Sequence, residues 1–439
     1  MRLTWVCRLW RYSALADPVL WGTIIFDDLY PWTRSFEFFK RAGAGDIAFR
    51  LGDRQQKDEQ GRDIAPKITA PQMEMFLEKI FDKFHQIRAA IFVLDGWPAA
   101  MEVLKAFSRP AARAPRALEC FELHRPSVVY VGQPWLTPGF TSPYIHNPLE
   151  LFCNEAPKLQ AITMNGVNIR WSSLPCVNLR TIDLRRIPPG LCPTSPDFLE
   201  MLRATHSLRR LMLDTAGAIM PNPQPYIRHP VQLPHLKEVF VGGANPAYTQ
   251  WLLTHFTAPQ LAMLTLSKVD FFGEAPLCSF LIGRFPQVEC LALYVVRYSL
   301  GAKKPFLKWI NAVSQLKVLK LSHAPREVML EWLFEDARNY QVEEEEQQQA
   351  DAAEDSPVIA PNLQALGVES QGMPDVIAFA KKRKDLGLPL ERVYLSPLFR
   401  STPEEEAELR ILGVEIWRGS SHTKEEIEIE NRWQRQYGP

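Results

Sequence analysis

The sequence predicts an α/β solenoid, with short parallel strands on a concave side and helices on a convex side, entered through a short helical amino-terminal segment. Two observations predict it. One apolar unit recurs ten times along the chain, and the stretches between the later copies read as helices. A chain of 439 residues exceeds one ordinary compact core, whereas an array gives each unit a core shared with its neighbours.

At the amino terminus Val6, Leu9 and Trp10 have helical spacing, and Ala14 prolongs the stripe. Asp17-Pro18 ends it, because proline disfavours helix in the residue before it. Gln55 to Pro66 reads as a polar loop.

The repeated unit is a leucine-like residue, two others, a second apolar residue, one other, then a third. It occurs as Leu118/Phe121/Leu123, Leu159/Ile162/Met164, Leu179/Ile182/Leu184, Leu208/Leu211/Leu213 and Leu236/Val239/Val241. It continues as Leu261/Leu264/Leu266, Val288/Leu291/Leu293, Leu316/Leu319/Leu321, Leu363/Leu366/Val368 and Leu390/Val393/Leu395. From Leu159 to Leu316 the steps are 20, 29, 28, 25, 27 and 28 residues. The 41-residue step from Leu118 to Leu159 implies a long loop or a missed unit. Ala156-Pro157, Leu233-Pro234, Ala258-Pro259, Phe285-Pro286 and Ala360-Pro361 lead into their units. The last two apolar positions differ by two, so they share one face of a strand, and that face needs a cover.

Helices supply the cover. Ser195 and Pro196 read as N-cap and first helical residue, and Asn245-Pro246 opens Tyr248 to Phe256 in the same way. Phe306, Leu307, Ile310 and Val313 have helical spacing, as do Val328, Leu330, Trp332 and Leu333 more loosely. Glu404-Glu405-Glu406 after Pro403 suits a helix amino terminus, where acids complement the dipole.

Unit and period resemble those of leucine-rich repeats, so the resemblance implies an irregular leucine-rich-repeat solenoid. That family usually places Asn or Cys three residues after the third apolar position. Here the position holds Val167, Ile187, Ala216, Ala244, Val269, Val296 and Ala324, so irregular turns are expected. Residues between the buried ones point to the concave face, the usual binding surface of a solenoid. They include Asp183, Arg185, Arg210, Phe240, Tyr294, Lys320, Arg392 and Tyr394, a set of aromatics and cations suited to anchoring a partner protein.

Val6-Cys7-Arg8-Leu9-Trp10, followed by Pro18-Val19-Leu20-Trp21, resembles the carboxy-terminal half of an F-box. The stretch from Thr23-Ile24 through Trp32 to Phe39-Lys40-Arg41 resembles the segment after the F-box in fungal F-box and leucine-rich-repeat proteins. The resemblance implies docking on a Skp1-type adaptor of a cullin-based (SCF) ubiquitin ligase through Val6, Leu9, Trp10, Pro18, Leu20 and Trp21. The solenoid would then hold an unknown target protein. The sequence begins after the leucine- and proline-rich first helix of that module, so a fragment or a weakened adaptor contact is expected. A free-standing protein-binding scaffold is the alternative.

No phosphate loop, HExxH pair, paired-cysteine motif or GxSxG elbow is present, so no catalysis, cofactor or metal is expected. The 50 basic residues cancel the 50 acidic ones, which gives no global attraction to nucleic acid or anionic membrane. No apolar run approaches the ~20 residues of a membrane span. Seven cysteines, odd in number and without a CxxC pair, suit reduced thiols in the cytoplasm or nucleus. The expected organisation is an F-box-like part over 1–26, linking and early solenoid units over 27–113, the main solenoid over 114–419 and a polar tail over 420–439. A disordered acidic insertion is expected over 341–356, where like charges repel and little can be buried. The tail, with Ile427, Ile429 and Trp433 as sparse apolar anchors, reads as a cap for the solenoid end or a disordered extension.

Overall fold

The structure is a computed structural model that describes residues 7–53, 67–108, 115–126, 148–154, 156–174, 176–220, 229–243, 245–269, 271, 276–295, 299–322, 329–334, 358–369, 372–397 and 399–419. Val6, the Gln55–Pro66 loop, the acidic insertion and the tail lie outside the described residues. Contacts divide the chain into two compact units, Met1–Gln224 and Pro225–Pro439.

In the first unit, α1 (Arg8–Ala16) and a 3-10 turn (Pro18–Trp21) lead into seven strands: β1 (Thr23–Phe26), β2 (Ile47–Gly52), β3 (Ile87–Val93), β4 (Cys120–His124), β5 (Ala161–Asn165), β6 (Thr181–Arg185) and β7 (Arg210–Asp214). Each pairs in parallel with the next in sequence. Helices α2 (Thr33–Arg41), α3 (Ala70–Phe81), α4 (Trp97–Phe107) and α5 (Ser195–Ala204) lie between strands. The array therefore runs straight through the expected boundary at 113/114, since β3 pairs with β4. β4 pairs directly with β5, so no strand stands between them in the sheet across the 41-residue step.

Phenylalanines fill the first unit's core. Phe26 meets Phe76 of α3 at 4.9 Å, Phe49 meets Phe92 at 5.4 Å, and Phe107 of α4 meets Phe121 at 4.7 Å, which continues to Phe152 at 5.3 Å. Edge-to-face and tilted rings at such spacing pack favourably, and the chain of rings joins strands to the helices that cover them.

The second unit carries β8 (Val231–Gln232), β9 (Glu238–Gly242), β10 (Phe256–Thr257), β11 (Met263–Ser267), β12 (Cys290–Tyr294), β13 (Val318–Ser322), β14 (Ala365–Val368), β15 (Arg392–Leu395) and β16 (Glu415–Arg418). β9 and β11 to β16 form consecutive parallel pairs, and β8 pairs with β10 in a separate two-residue ladder. Its helices are α6 (Pro246–Leu253), α7 (Pro276–Leu281), α8 (Lys303–Ala312), α9 (Met329–Trp332), α10 (Met373–Asp385) and α11 (Pro403–Ile411), with consecutive helices packed together. The leucine positions of β9 and β11 to β15, from Val239 to Leu395, are all buried.

Two turns recur and explain the period. In the lead-in, the leading residue of each unit donates to the carbonyl three residues back: Leu159 to Ala156, Leu236 to Leu233, Leu261 to Ala258, Val288 to Phe285 and Leu363 to Ala360, at 3.1–3.3 Å. The proline of each lead-in stands second in its turn, where its fixed φ fits. At the other end, the residue after the strand has positive φ: Gly166, Arg186, Thr215, Gly243, Lys268 and Val295. From there its N–H reaches the last carbonyl of the following strand, as Gly166 to Arg185 O (2.8 Å), Lys268 to Tyr294 O (2.8 Å) and Val295 to Ser322 O (2.8 Å). A backbone bond thus ties neighbouring turns together where leucine-rich repeats commonly use asparagine.

Helix starts follow their caps. Thr194, not Ser195, caps α5 and accepts from Asp197 N–H (3.2 Å), which leaves Pro196 second in the helix. Asn245 caps α6, which ends at Leu253 rather than at Phe256. Thr402 and Glu405 form a reciprocal capping box at α11, with Glu404 to Glu406 in the first turn. None of the helices among the described residues is long and apolar enough to cross a membrane.

Candidate functional site

The first candidate surface is the amino-terminal segment. Cys7 Sγ accepts from Trp10 N–H to start α1, and the Asp17 carboxylate accepts from Val19 N–H (3.0 Å) to start the 3-10 turn at Pro18. Trp21 closes the segment: its Nε1 donates to Ala14 O at 2.7 Å, its ring lies 5.3 Å from Phe38, and the Arg41 guanidinium sits 4.8 Å over it. At 1% exposure Trp21 is core and offers no surface, which corrects its assignment to an adaptor contact. The other described candidates point outwards. Leu9 is 73% exposed, and Trp10, Pro18 and Leu20 are exposed with it.

Sequence reasoning missed how far that patch extends. Tyr12, Leu15, Val19, Ile25, Leu29 and Tyr30 are also exposed, so most of the exposed large apolar side chains among the described residues fall between positions 9 and 30. Ala14 is the one buried residue of α1. The helix thus turns its large apolar residues away from its own unit, a reversal that spacing alone does not reveal.

The second candidate surface is the sheet face opposite the leucines, described for each unit separately. In the first unit, strand register places Glu122, Thr163, Asp183 and Met212 in one row, and His124, Asn165, Arg185 and Asp214 in the next. Arg210 shares this face, in the row of Thr181. Asp183 and Arg185 form a two-bond fork, Nε to Oδ1 and Nη2 to Oδ2 both at 2.7 Å. Asp183 is buried rather than exposed, because its neighbours in the row enclose it. The bond to Asp183 raises the Arg185 pKa, assisted by the charges of Asp183, Asp214 and Glu122, so this cation is permanent.

Glu122 and His124 belong to the same network and were not anticipated, although both flank Leu123 and could have been found by alternation. His124 Nε2 lies 2.9 Å from Glu122 Oε2, and that bond holds the Glu122 carboxyl below its ordinary value against the opposing effect of burial. Cys120 points to the same face, but burial and the Glu122 charge push its thiol up to about 12, which removes it as a nucleophile at neutral pH.

The second unit's face is less charged. One row runs Phe240, Thr265, Ala292, Lys320, Gly367, Tyr394 and Trp417, and the row beside it runs Glu238, Met263, Cys290, Val318, Ala365, Arg392 and Glu415. All five predicted residues of this unit, Phe240, Tyr294, Lys320, Arg392 and Tyr394, do face this way. Two are not exposed as expected: Lys320 is 8% and Tyr394 6% accessible. The reason is local. Gly367 has no side chain, and a Cβ there would stand 2.8 Å from Lys320 Cγ, so the lysine stem lies across the glycine. Tyr394 packs beside Trp417 with ring centroids 6.3 Å apart. A recess of about 240 Å³ remains, lined by Tyr294, Lys320, Gly367, Glu369, Tyr394 and Ser396 among others, and Ser322 Oγ donates to the Glu369 carboxylate at its wall.

Among the described residues, no group of three or more His, Cys, Asp or Glu side chains could hold a metal ion. The arrangement can do recognition: an apolar patch on α1, a pre-paired ionic face in the first unit and a largely apolar face in the second. No protein-family model matches the chain, and no curated protein matches it.

Proposed function

We propose that the chain is a non-catalytic substrate receptor, of the F-box and leucine-rich-repeat type, for an SCF-type ubiquitin ligase. Its amino-terminal segment docks a Skp1-type adaptor, and its strand faces hold a target protein. Ubiquitin transfer is then performed by its partners. The observation that carries this reading is the apolar surface of α1 and the following turn. Leu9, Trp10, Tyr12, Val19 and Leu20 lie open to solvent within a dozen residues. A contiguous exposed apolar patch marks a surface that another protein covers. Resemblance in the order Val-Cys-Arg-x-Trp and Pro-x-Leu-Trp supplies the partner's identity, and the ordered sheet face supplies a second surface for the target.

Co-expression with a Skp1-type adaptor tests it. The chain should co-purify with the adaptor, either as it stands or with an F-box first helix fused ahead of it. Leu9→Asp with Trp10→Asp should abolish the complex and leave the circular dichroism spectrum intact. An adaptor that ignores both forms of the chain removes the ligase reading and leaves a free-standing protein-binding scaffold.

A further inference from the structure

The outward face of the second unit lacks one side chain. Strand register sets Lys320, Gly367 and Tyr394 side by side, and only the glycine projects nothing from the sheet. Its two neighbours do not close the gap. The Lys320 stem lies across the glycine, with Cγ 2.8 Å from where a Cβ would stand, and the Tyr394 ring is backed by Trp417 at 6.3 Å. In the next row Tyr294 stands opposite Ser322, which donates to the Glu369 carboxylate. What remains is the recess of about 240 Å³, with bare backbone at Gly367 in its lining.

Size, rigidity and charge define what fits. Pockets for whole small molecules measure roughly 300–1,000 Å³, so this smaller one admits a single large side chain. Its backbone is fixed by the sheet: Glu369 N–H donates to Leu321 O and Ser396 N–H to Val368 O, both at 3.2 Å. Lys320 and Glu369 line it with one charge of each sign, so an ionic anchor of either sign meets a like charge there. A neutral group meets no such penalty. Two phenol rings, the lysine methylenes and a peptide without a side chain offer flat apolar contact. That contact suits a ring, because aromatic groups pack through their faces and edges and are frequent anchors of protein interfaces.

We propose that this recess receives one aromatic side chain of the target protein and that this residue anchors the target on the second unit. The inference rests on the reading that the strand faces hold a target. It narrows that target to a protein presenting an exposed tryptophan, tyrosine or phenylalanine.

Titrating the full chain with N-acetyl-tryptophanamide, followed by amide chemical shifts, tests this without adaptor or target. The Gly367, Glu369 and Ser396 amides should shift together and saturate in the millimolar range expected of one side chain. N-acetyl-leucinamide and N-acetyl-argininamide should bind about tenfold more weakly or worse. In Gly367→Ala the new Cβ must displace the Lys320 stem, and the aromatic probe should weaken by about tenfold. Tyr294→Ala, which removes a half-buried ring from the lining, should weaken it by about threefold or more. Lys320→Met keeps the stem and loses the charge, and should leave the affinity within about twofold. Absence of shifts at those amides overturns the proposal, as does equal binding of the leucine or arginine probe. Loss of binding in Lys320→Met overturns it too, because the charge would then be the determinant. A chain that binds the probe but ignores the adaptor keeps the aromatic anchor and loses the ligase reading, and the opposite result does the reverse.

Discussion

Replacing Trp21 by alanine removes a buried indole, its hydrogen bond to Ala14 O and the platform under Arg41. The expected loss is about 3–5 kcal/mol of unfolding free energy, measured by denaturant titration. Leu9→Ala, on the exposed side of the same segment, should change stability by less than about 0.5 kcal/mol. That contrast separates what holds the segment from what it presents. Arg383 is the counterpart in the second unit. It is 1% exposed and donates to the carbonyls of Leu388, Ala360, Pro361 and Leu363 at 3.1–3.2 Å. Burial draws its pKa down to about 10, so it stays charged at neutral pH, and Arg383→Met would leave buried carbonyls without a donor. A loss of about 3 kcal/mol in the same titration is expected. Its neighbours are engaged as well: Lys381 with Glu408, Lys382 over Phe334 at 4.1 Å and Lys384 on Leu412 O at 3.1 Å. A basic run that would read in isolation as a targeting or nucleic-acid patch thus stitches helices together. Glu122 gives a pH dependence. Its carboxyl is held below the usual value of 4.5 in the folded state, so the stability it adds is present above that value and is lost as pH falls through the folded pKa. Between those two points the Glu122→Gln variant should lose less stability on acidification than the unaltered chain.

Strands and turns show where the sequence was readable. All ten apolar units became strands, because a leucine two residues from another on a buried face leaves a period that survives any loop between them. β1 to β3 were not resolved as separate units. Their inward positions hold Ile24 and Phe26, Phe49 and Leu51, and Ala90 and Phe92, but the leading position three residues before each pair holds Trp21, Asp46 or Ile87 rather than leucine. Pairing also slips between Ile47 and Ala48, so Ala48 opposes Ala89 while Ile47 opposes Ile87, and the spacing no longer fits. β16 escaped because an end strand has a neighbour on one side and buries little. Turn chemistry is only half legible in the sequence. The missing asparagines were legible, but their replacement, a left-handed residue with a backbone bond, carries no residue-type signature: glycine, arginine, threonine, lysine and valine all occupy it. Val295 is the least suited of these, being β-branched with φ 52. Val295→Gly should therefore raise stability by up to about 1 kcal/mol, read as a higher denaturation midpoint at unchanged slope.

At the scale of the molecule, composition and alternation gave the layer order and the side each residue faces, since both depend on local geometry. They did not give accessibility. Whether Lys320 or Asp183 reaches solvent depends on the next strand's residue at the same level, and Gly367 or Met212 is set by a sequence position tens of residues away. The reversed α1 was illegible for a related reason: an apolar helix residue carries no mark that says whether its own chain or another covers it. Surfaces for partners are where such a mark matters most, and there only coordinates separate a core residue such as Trp21 from an exposed one such as Trp10.

The free thiols give the molecule a built-in record of its own breathing. Cys7 is open to solvent, whereas Cys176 in the first unit and Cys278 in the second are buried, with their ionisation pushed upwards by burial. Mild thiol reagents at pH 8 should label Cys7 within the mixing time and reach Cys176 and Cys278 only through opening of the surrounding repeats. In an array where each repeat leans on its neighbours, those two labelling rates need not agree, and their separate responses to denaturant would chart how cooperativity is distributed along the chain. Prompt modification of Cys278 in native buffer would contradict the packing of α7.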